Sequence, residues 1–422
     1  MKLETINSNV DVCCNKATFE NGLQVYVVEK KGYSSAYALF GTRYGSVDTV
    51  FSRDGENFTA VPEGIAHFLE HKLFESEDGD AFTRYAETGA YANAFTSFDR
   101  TCYLFSCSDN FEKNLEILLD FVQNPYFTQQ TVEKEQGIIG QEIKMYEDSP
   151  SWRVLFNMLE AMYENHPVRI DIAGTTDSIA KIDANLLYEC YNTFYHPSNM
   201  FICIAGNVNT EKVLKQIEDG IKKTDKITIT RGTHSEGEKV KSTYTEQNLQ
   251  VAQPLFCYGY KLKCDGLMPI YDKVCFEVAL DILAGDNSDL FENLMNQSLI
   301  NDEFDTEVFC GNGHASVIFS GESVNPEAVK NAINKEIENL IKNGIENSIF
   351  EAVKRGMYGD AIKRFNNVQS IGMQLCEAAV NGEEVFGNLE VLSKITVDDI
   401  LACLKLFKEE NSVLSVVKSK EQ

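Results

Sequence analysis

Positive charge is scarce in this chain. Its 422 residues include 38 Lys and Arg against 64 Asp and Glu, which gives a formal net charge of −26 at pH 7. Such a surface repels a phosphate backbone and argues against a nucleic-acid partner. It would suit basic or neutral peptides, but a strongly acidic surface more often simply keeps a protein soluble. Charge alone therefore excludes one class of ligand without identifying another.

Targeting signals and cysteine motifs are also missing. Residues 1–8 contain no basic segment followed by an apolar one, and no apolar run is long enough to span a bilayer. The 12 cysteines include the adjacent pair Cys13-Cys14 but no Cys-x-x-Cys spacing. We therefore expect a cytoplasmic protein with reduced thiols and no membrane partner.

The length and the hydrophobic pattern predict two related α+β domains. A chain of 422 residues is too long for one ordinary domain. The polar, charged segment 222–248 is the predicted linker, which gives domains at 1–221 and 249–422. β-Rich runs and helical periodicity alternate in the first half, with strands predicted at 23–30, 36–41, 101–107 and 201–206, a helix from near Pro62, and helices between 111 and 164 interrupted at Pro125 and Pro150.

The second half repeats part of this pattern. The helix at 114–121 and the longer one opened by 127–128 have counterparts at 332–341 and 345–347. In this alignment 271–277 lies where the first half carries its histidine motif, and it contains no histidine. A metal site is therefore expected in the first domain alone.

That motif is His67-Phe68-Leu69-Glu70-His71, which uses two of only six histidines. Residues four apart lie on one face of a helix, so both imidazoles can reach one metal ion with Glu70 at its edge. The competing interpretation is a surface helix with two polar histidines. A catalytic zinc usually has three protein ligands, so a third ligand must come from elsewhere.

The best candidates for that third ligand lie in 132–143. Glu135 and Glu142 are seven residues apart, two helical turns, and share one stripe of a predicted helix. One carboxylate can bind the ion while the other orients a ligand. With this second helix present, the surface-helix interpretation becomes much weaker.

The chain resembles the M16 zinc peptidases, the group of insulinase, pitrilysin and the mitochondrial processing peptidase, and within it the short bacterial members. The resemblance covers nearly the whole chain. It depends on the inverted His-x-x-Glu-His motif and on the pair Glu135 and Glu142, together with 91–97 (Tyr-Ala-Asn-Ala-Phe-Thr-Ser) and 194–200 (Phe-Tyr-His-Pro-Ser-Asn-Met). It implies a fold of two α/β-sandwich domains, each a mostly antiparallel sheet packed with helices, with the peptidase domain at 1–221 and a metal-free one at 249–422.

The same resemblance implies roles for individual residues. His67, His71 and Glu142 would bind zinc, Glu70 would be the general base and Glu135 would orient a ligand from outside the first coordination shell. Asn93 and Ala94 would belong to an exposed strand edge that pairs with an extended peptide. From the residues alone, an ordinary strand ending in a turn explains Asn93 and Ala94 equally well.

One part of the family pattern is missing. Active members usually complete the site with an Arg and a Tyr from a C-terminal domain, and here Met295 and Asn301 occupy those places. We expect a dimer, homomeric or with a related M16 chain, in which the partner supplies that pair and this chain carries the zinc. The predicted function is a zinc endopeptidase acting on peptides or unfolded segments. The alternatives are a non-catalytic assembly subunit and, without any supporting residue, a zinc hydrolase of another substrate class.

Overall fold

The computed structural model describes residues 1–77 and 79–420. The strands are β1 (Lys2–Asn7), β2 (Cys13–Thr18), β3 (Gln24–Glu29), β4 (Ala36–Thr42), β5 (Val50–Ser52), β6 (Thr59–Ala60), β7 (Glu75–Ser76), β8 (Gly79–Asp80), β9 (Tyr91–Thr96), β10 (Thr101–Cys107), β11 (Met200–Gly206), β12 (Thr230–Arg231), β13 (Tyr244–Asn248), β14 (Leu255–Lys261), β15 (Asp305–Gly311), β16 (His314–Glu322) and β17 (Ser412–Lys418). The helices are α1 (Ile65–Leu73), α2 (Ala81–Thr88), α3 (Phe111–Gln123), α4 (Gln129–Glu147), α5 (Pro150–Met162), α6 (Thr176–Ile179), α7 (Ala184–Phe194), α8 (Thr210–Gly220), α9 (Ile270–Ala284), α10 (Asp289–Asn296), α11 (Pro326–Asn343), α12 (Asn347–Arg364), α13 (Val368–Asn381), α14 (Gly387–Lys394) and α15 (Val397–Leu404).

The chain forms two compact units, and each is discontinuous in sequence. The first contains 1–143, 171–233 and 362–386, and the second contains 144–170, 234–361 and 387–422. The segment 222–248, predicted as the linker, includes the short strands β12 and β13. The domain boundaries at 221 and 249 stay a prediction.

The sheet of the first unit has seven strands in the order β1-β2-β3-β11-β4-β10-β9. Only β3 and β11 run parallel, and the other neighbours are antiparallel. Strands β4 and β11 are buried along their whole lengths, which explains their continuous apolar sequences. Strand β9 is the last in the order and hydrogen-bonds through one edge to β10, so its other edge is unpaired within this sheet.

The sheet of the second unit has five strands in the order β13-β17-β14-β16-β15. Its one parallel pair, β13 with β17, corresponds to β3 with β11 in the first unit, and the antiparallel partners follow in the same sequence. Helices α9 and α10 lie between β14 and β15 as α1 and α2 lie between β4 and β9, and α9 contains 271–277. The predicted repeat and the predicted class of two mostly antiparallel α+β domains are both confirmed.

A helix from late in the chain, α13, covers part of the first sheet by packing on β3, β4 and β11. Gly372 permits this approach, because a Cβ there would lie 2.3 Å from a ring atom of Tyr37. The Arg43 guanidinium donates from Nε to the Ala379 carbonyl at 3.0 Å. The first unit is therefore assembled from segments at both ends of the sequence.

None of the helices in the described part of the chain combines the length and the apolar character that a membrane-spanning helix needs.

Candidate metal centre

Helix α1 carries the histidine motif and begins later than predicted. Its first residue is Ile65, and the residue before it, Gly64, has a left-handed backbone with φ of 87°. Pro62 therefore precedes the helix, and the prediction of a start near Pro62 is corrected by three residues. The reason is local: a residue with positive φ cannot belong to a right-handed helix, and Gly adopts that conformation without the Cβ penalty.

The start of α1 is held by a close backbone crossing. A Cβ on Gly64 would lie 2.4 Å from the Ala173 carbonyl oxygen, and a Cβ on Gly174 would lie 2.6 Å from the Glu63 carbonyl oxygen. Gly174 also has positive φ, at 73°. Two glycines that meet in this way allow the segment after α5 to press against the helix start and fix where α1 points.

Helix α4 presents the two glutamates. Val132, Ile139 and Ile143 are its buried residues, and their spacing of seven and four defines one apolar stripe. Glu135 and Glu142 are themselves two turns apart and partly buried, with side chains 15% and 22% exposed. The stripe seals the helix against the unit while the two carboxylates extend toward α1.

The structure brings His67, His71 and Glu142 together. One ligand atom from each lies within 4.8 Å of the other two. The Nε2 atoms of His67 and His71 are 3.6 and 3.3 Å from the two carboxylate oxygens of Glu142. Ligands bound at about 2.0–2.1 Å in a tetrahedron lie about 3.4 Å apart, so this set of two imidazoles and one carboxylate fits zinc in both chemistry and spacing.

Glu135 contacts the opposite side of one imidazole. Its Oε1 is 3.1 Å from His71 Nδ1, which leaves Nε2 of the same ring facing Glu142. The corresponding Nδ1 of His67 is buried and has no hydrogen-bond partner among the described residues. The two histidines therefore differ, because a carboxylate fixes the orientation of only one of them.

The electrostatics of this cluster are those of a partly buried ion pair. Burial opposes ionisation of the His71 imidazole, but hydrogen bonds to Glu135 and Glu142 outweigh it and raise the pKa of His71 to about 10. Burial alone would raise the pKa of Glu135, yet the hydrogen bond to His71 lowers it below its usual value. The positive charge of protonated His71 thus offsets the negative charge of Glu135 and Glu142, as a bound metal cation would.

Glu70 lies one turn from His67 on the same helix. Its Oε2 accepts a hydrogen bond of 2.6 Å from the Thr96 hydroxyl at the end of β9. The sequence predicted no role for Thr96. The period of two along a strand places Thr96 on the same face as Ala94, and this was the available signal.

The predicted substrate residues lie beside this cluster. Asn93 and Ala94 are in the edge strand β9, and both line a pocket of about 610 Å³ whose wall also includes Glu70 and His71. The Asn93 side chain accepts a bond of 2.9 Å from the Ala94 backbone N–H. Asn93 and Ala94 therefore lie within an edge strand and not at a turn, and the pairing of this edge with a peptide stays a prediction.

The positions predicted to lack the Arg and Tyr are in the second unit. Met295 is in α10 and packs partly buried against that unit's core. Asn301 donates from Nδ2 to a carboxylate oxygen of Glu322 at 2.9 Å. Neither side chain provides a guanidinium or a phenol.

Comparison with known proteins agrees with this geometry. Residues 59–176 match the family model described as Insulinase (Peptidase family M16), and 181–357 match Peptidase M16 inactive domain. The uncharacterised zinc protease YmfH of Bacillus subtilis is 42% identical over 90% of this chain and 90% of its own. This chain belongs to the M16 peptidase family.

Solved structures agree with this assignment. A protein described as an M16-like peptidase from Alicyclobacillus acidocaldarius superimposes with a TM-score of 0.94 at 31% identity, covering 98% of this M16 chain and all of the other. Pitrilysin shares the fold, with a TM-score of 0.76 at 14% identity, and all of this chain matches 47% of pitrilysin. All seven predicted site residues lie within the 59–176 match, and the histidine-free 271–277 lies within the other.

Proposed function

We propose that this M16 chain is a zinc-dependent endopeptidase that hydrolyses peptides or unfolded segments. The observation that carries the proposal is the convergence of His67, His71 and Glu142 from two helices, with Glu70 beside them. A zinc ion held by these three residues would supply Lewis acidity for a peptide carbonyl and lower the pKa of a water molecule.

The chain's own side chains would perform the proton transfers. Glu70 accepts a proton from the attacking water and delivers it to the leaving amine, with its carboxylate oriented by the Thr96 hydroxyl. Glu135 keeps the His71 ring oriented so that Nε2 faces Glu142. The unpaired edge of β9 would hold an extended substrate through backbone hydrogen bonds beside Glu70.

We also propose that a partner chain completes the site. Met295 and Asn301 cannot stabilise an oxyanion as Arg and Tyr do. A second copy would carry the same Met295 and Asn301, so a related M16 chain that bears the Arg and Tyr fits this proposal better than a homodimer. The cytoplasm remains the proposed location, in keeping with the absence of any disulfide among the described residues.

Zinc content and peptide cleavage would test the proposal. The wild-type protein should contain one zinc per chain by elemental analysis and cleave a fluorogenic peptide library. Glu70→Gln should retain the metal and lose about 10²–10⁴-fold in activity, because a base is removed but no ligand. Glu142→Gln should instead lose zinc affinity.

Each result separates the alternatives. A wild-type protein without zinc would favour the non-catalytic assembly role. Normal zinc binding by Glu142→Gln would mean that Glu142 is not the third ligand. Full activity of the purified chain alone would contradict the shared site, whereas activity that appears on adding a related chain with the Arg and Tyr would support it.

A further inference from the structure

The second unit contains a cavity of about 700 Å³ that is lined by both apolar side chains and thiols. Its wall is formed largely by α9, α15 and the segments that follow β14 and α15. Leu267 and Leu406 line it and are themselves 49% and 52% exposed, so the cavity opens to solvent. The lining also includes three of the 12 cysteines, Cys264, Cys275 and Cys403. These thiols give the cavity a chemistry that the candidate metal cluster does not have.

Cys275 and Cys403 meet in the wall of this cavity. Cys275 belongs to α9 and Cys403 to α15, and the two helices pack against each other. Both cysteines are free, and the Cys403 thiol donates a hydrogen bond to the Cys275 sulfur. Because a disulfide has an S–S distance of about 2.05 Å, two thiols in hydrogen-bond contact need only a small further approach to form one. Their residues are 2% and 8% exposed, and the cavity gives a small molecule a path to them.

The hydrogen bond divides the proton unequally between the two sulfurs. Burial raises the pKa of Cys257, in β14 of the same unit, to about 12. The pKa of Cys275 is instead lowered, because the hydrogen bond from Cys403 outweighs burial and the negative charges of Asp399 and Asp272. The same hydrogen bond raises the pKa of Cys403. One sulfur thus favours the reactive thiolate while its neighbour keeps the proton, which is the arrangement of an oxidisable cysteine beside a resolving one.

We propose that Cys275 and Cys403 form a redox-active dithiol, a modification site that hydrogen peroxide converts to a disulfide. The Cys275 thiolate attacks one peroxide oxygen, the O–O bond breaks, and the leaving hydroxide takes up a proton to become water, which makes Cys275 a sulfenic acid. The Cys403 sulfur then attacks the Cys275 sulfur, and its proton leaves with the sulfenic hydroxyl as a second water. The two sulfurs lose two electrons in all, and the peroxide gains them. This inference is independent of the proposed peptidase function.

The first unit contains another thiol pair that serves as an internal control. Cys102 of β10 and Cys376 of α13 have Sγ atoms 3.7 Å apart, and both residues are 0% exposed. Burial raises the pKa of the Cys102 thiol well above its usual value. Contact between sulfurs is common to the two pairs, whereas the solvent-connected cavity and the lowered pKa are features of Cys275. Cys102 and Cys376 should therefore stay reduced under conditions that oxidise Cys275 and Cys403.

Peroxide treatment of the reduced full-length chain tests the proposal. After a brief exposure to hydrogen peroxide, thiol counting on the denatured protein should show the loss of two of the 12 thiols. Non-reducing peptide mapping by mass spectrometry should find Cys275 linked to Cys403, and dithiothreitol should restore both thiols. Cys275 should react at least about tenfold faster than Cys102, because one pKa unit changes the thiolate fraction about tenfold.

Serine variants separate the roles of the two sulfurs. Cys403→Ser should stop at the sulfenic acid, which dimedone traps on Cys275, and the serine hydroxyl can still donate a hydrogen bond there. Cys275→Ser should give neither a dimedone adduct on Cys403 nor a disulfide, and Cys102→Ser should lose the same two thiols as the wild type. Circular dichroism checks that each variant is folded, and the wild-type mapping stands without them. If peroxide-treated wild type lacks the Cys275–Cys403 disulfide, or forms it no faster than Cys102 is oxidised, the proposal is overturned.

Discussion

Gly64 offers a direct test of how the helix that carries His67 and His71 is positioned. Replacing it with Ala imposes a Cβ on a left-handed backbone, which costs about 1–2 kcal/mol. The same Cβ would lie 2.4 Å from the Ala173 carbonyl oxygen, too close for any real contact, so a backbone segment must move. Such overpacking costs about 1–3 kcal/mol more. The expected loss is therefore about 2–5 kcal/mol, and α1 should shift with it.

Gly89 provides the matched control. It follows α2 with φ of 73°, and a Cβ on it would have no neighbour within 4 Å. Gly89→Ala should therefore pay only the backbone cost, about 1–2 kcal/mol. The difference between the two variants isolates the contribution of the close crossing with Ala173.

Urea unfolding of the metal-free variants, followed by far-ultraviolet circular dichroism, gives the stability loss, and hydrogen exchange of residues 65–73 locates it in α1. The single tryptophan, Trp152, is in the second unit, so its fluorescence should report a smaller change. Zinc affinity should also fall in Gly64→Ala, because His67 and His71 move with the helix. If Gly64→Ala is no less stable than Gly89→Ala, the crossing does not position α1.

Three further predictions follow from the hydrogen bonds and pKa shifts. Zinc binding at pH 7.5 should release about one proton from His71, because the pKa of this ring is about 10 without metal and only the neutral ring binds zinc. Calorimetry in buffers of different ionisation enthalpy measures the number of protons released, and Glu135→Gln should reduce that number. Thr96→Val should lower kcat about 10- to 100-fold at unchanged zinc content, since a hydrogen bond to a charged group contributes about 1.5–3 kcal/mol. Thr96→Ser should restore the activity, and equal activity of the two variants would show that Thr96 does not orient Glu70. Burial lowers the pKa of His166 from 6.5 to about 4, so the unfolded chain binds a proton there that the folded one does not. As the pH drops from 6.5 toward 4, His166 should contribute a loss of roughly 1.4 kcal/mol of metal-free stability per pH unit, in addition to the loss from His314, whose pKa burial lowers to about 3. His166→Asn, which keeps a helix-capping acceptor, should remove the His166 share of this slope, and an unchanged slope would contradict the assignment.

The features that follow from local periodicity could be predicted from the sequence. His67 and His71 lie on one helical face because they are four residues apart, and Glu135 and Glu142 share a stripe because they are seven apart. The repeat was visible for the same reason, since its helices and strands keep their order in both units. The candidate metal cluster depends only on these spacings and on the packing of two helices.

Features made by distant segments could not be predicted. The start of α1 depends on Gly64 meeting Ala173, and no local pattern encodes that contact. The pocket beside Glu70 is lined in part by β7 and β8, two-residue strands that are too short to show any period. His166, His234 and His314 are far apart in the sequence, yet the His166 ring centroid lies 5.7 Å from that of His234 and 4.8 Å from that of His314.

The packing of α13 on the first sheet has a consequence for biosynthesis. The candidate ligands His67, His71 and Glu142 leave the ribosome early, but the helix that covers β3, β4 and β11 comes from 368–381. A protein truncated at residue 221 would expose the apolar patch that Tyr37 and its neighbours present to Gly372, and such a patch favours aggregation. The nascent first unit, which holds the candidate metal cluster, therefore stays incomplete and in need of protection until residue 381 has been translated.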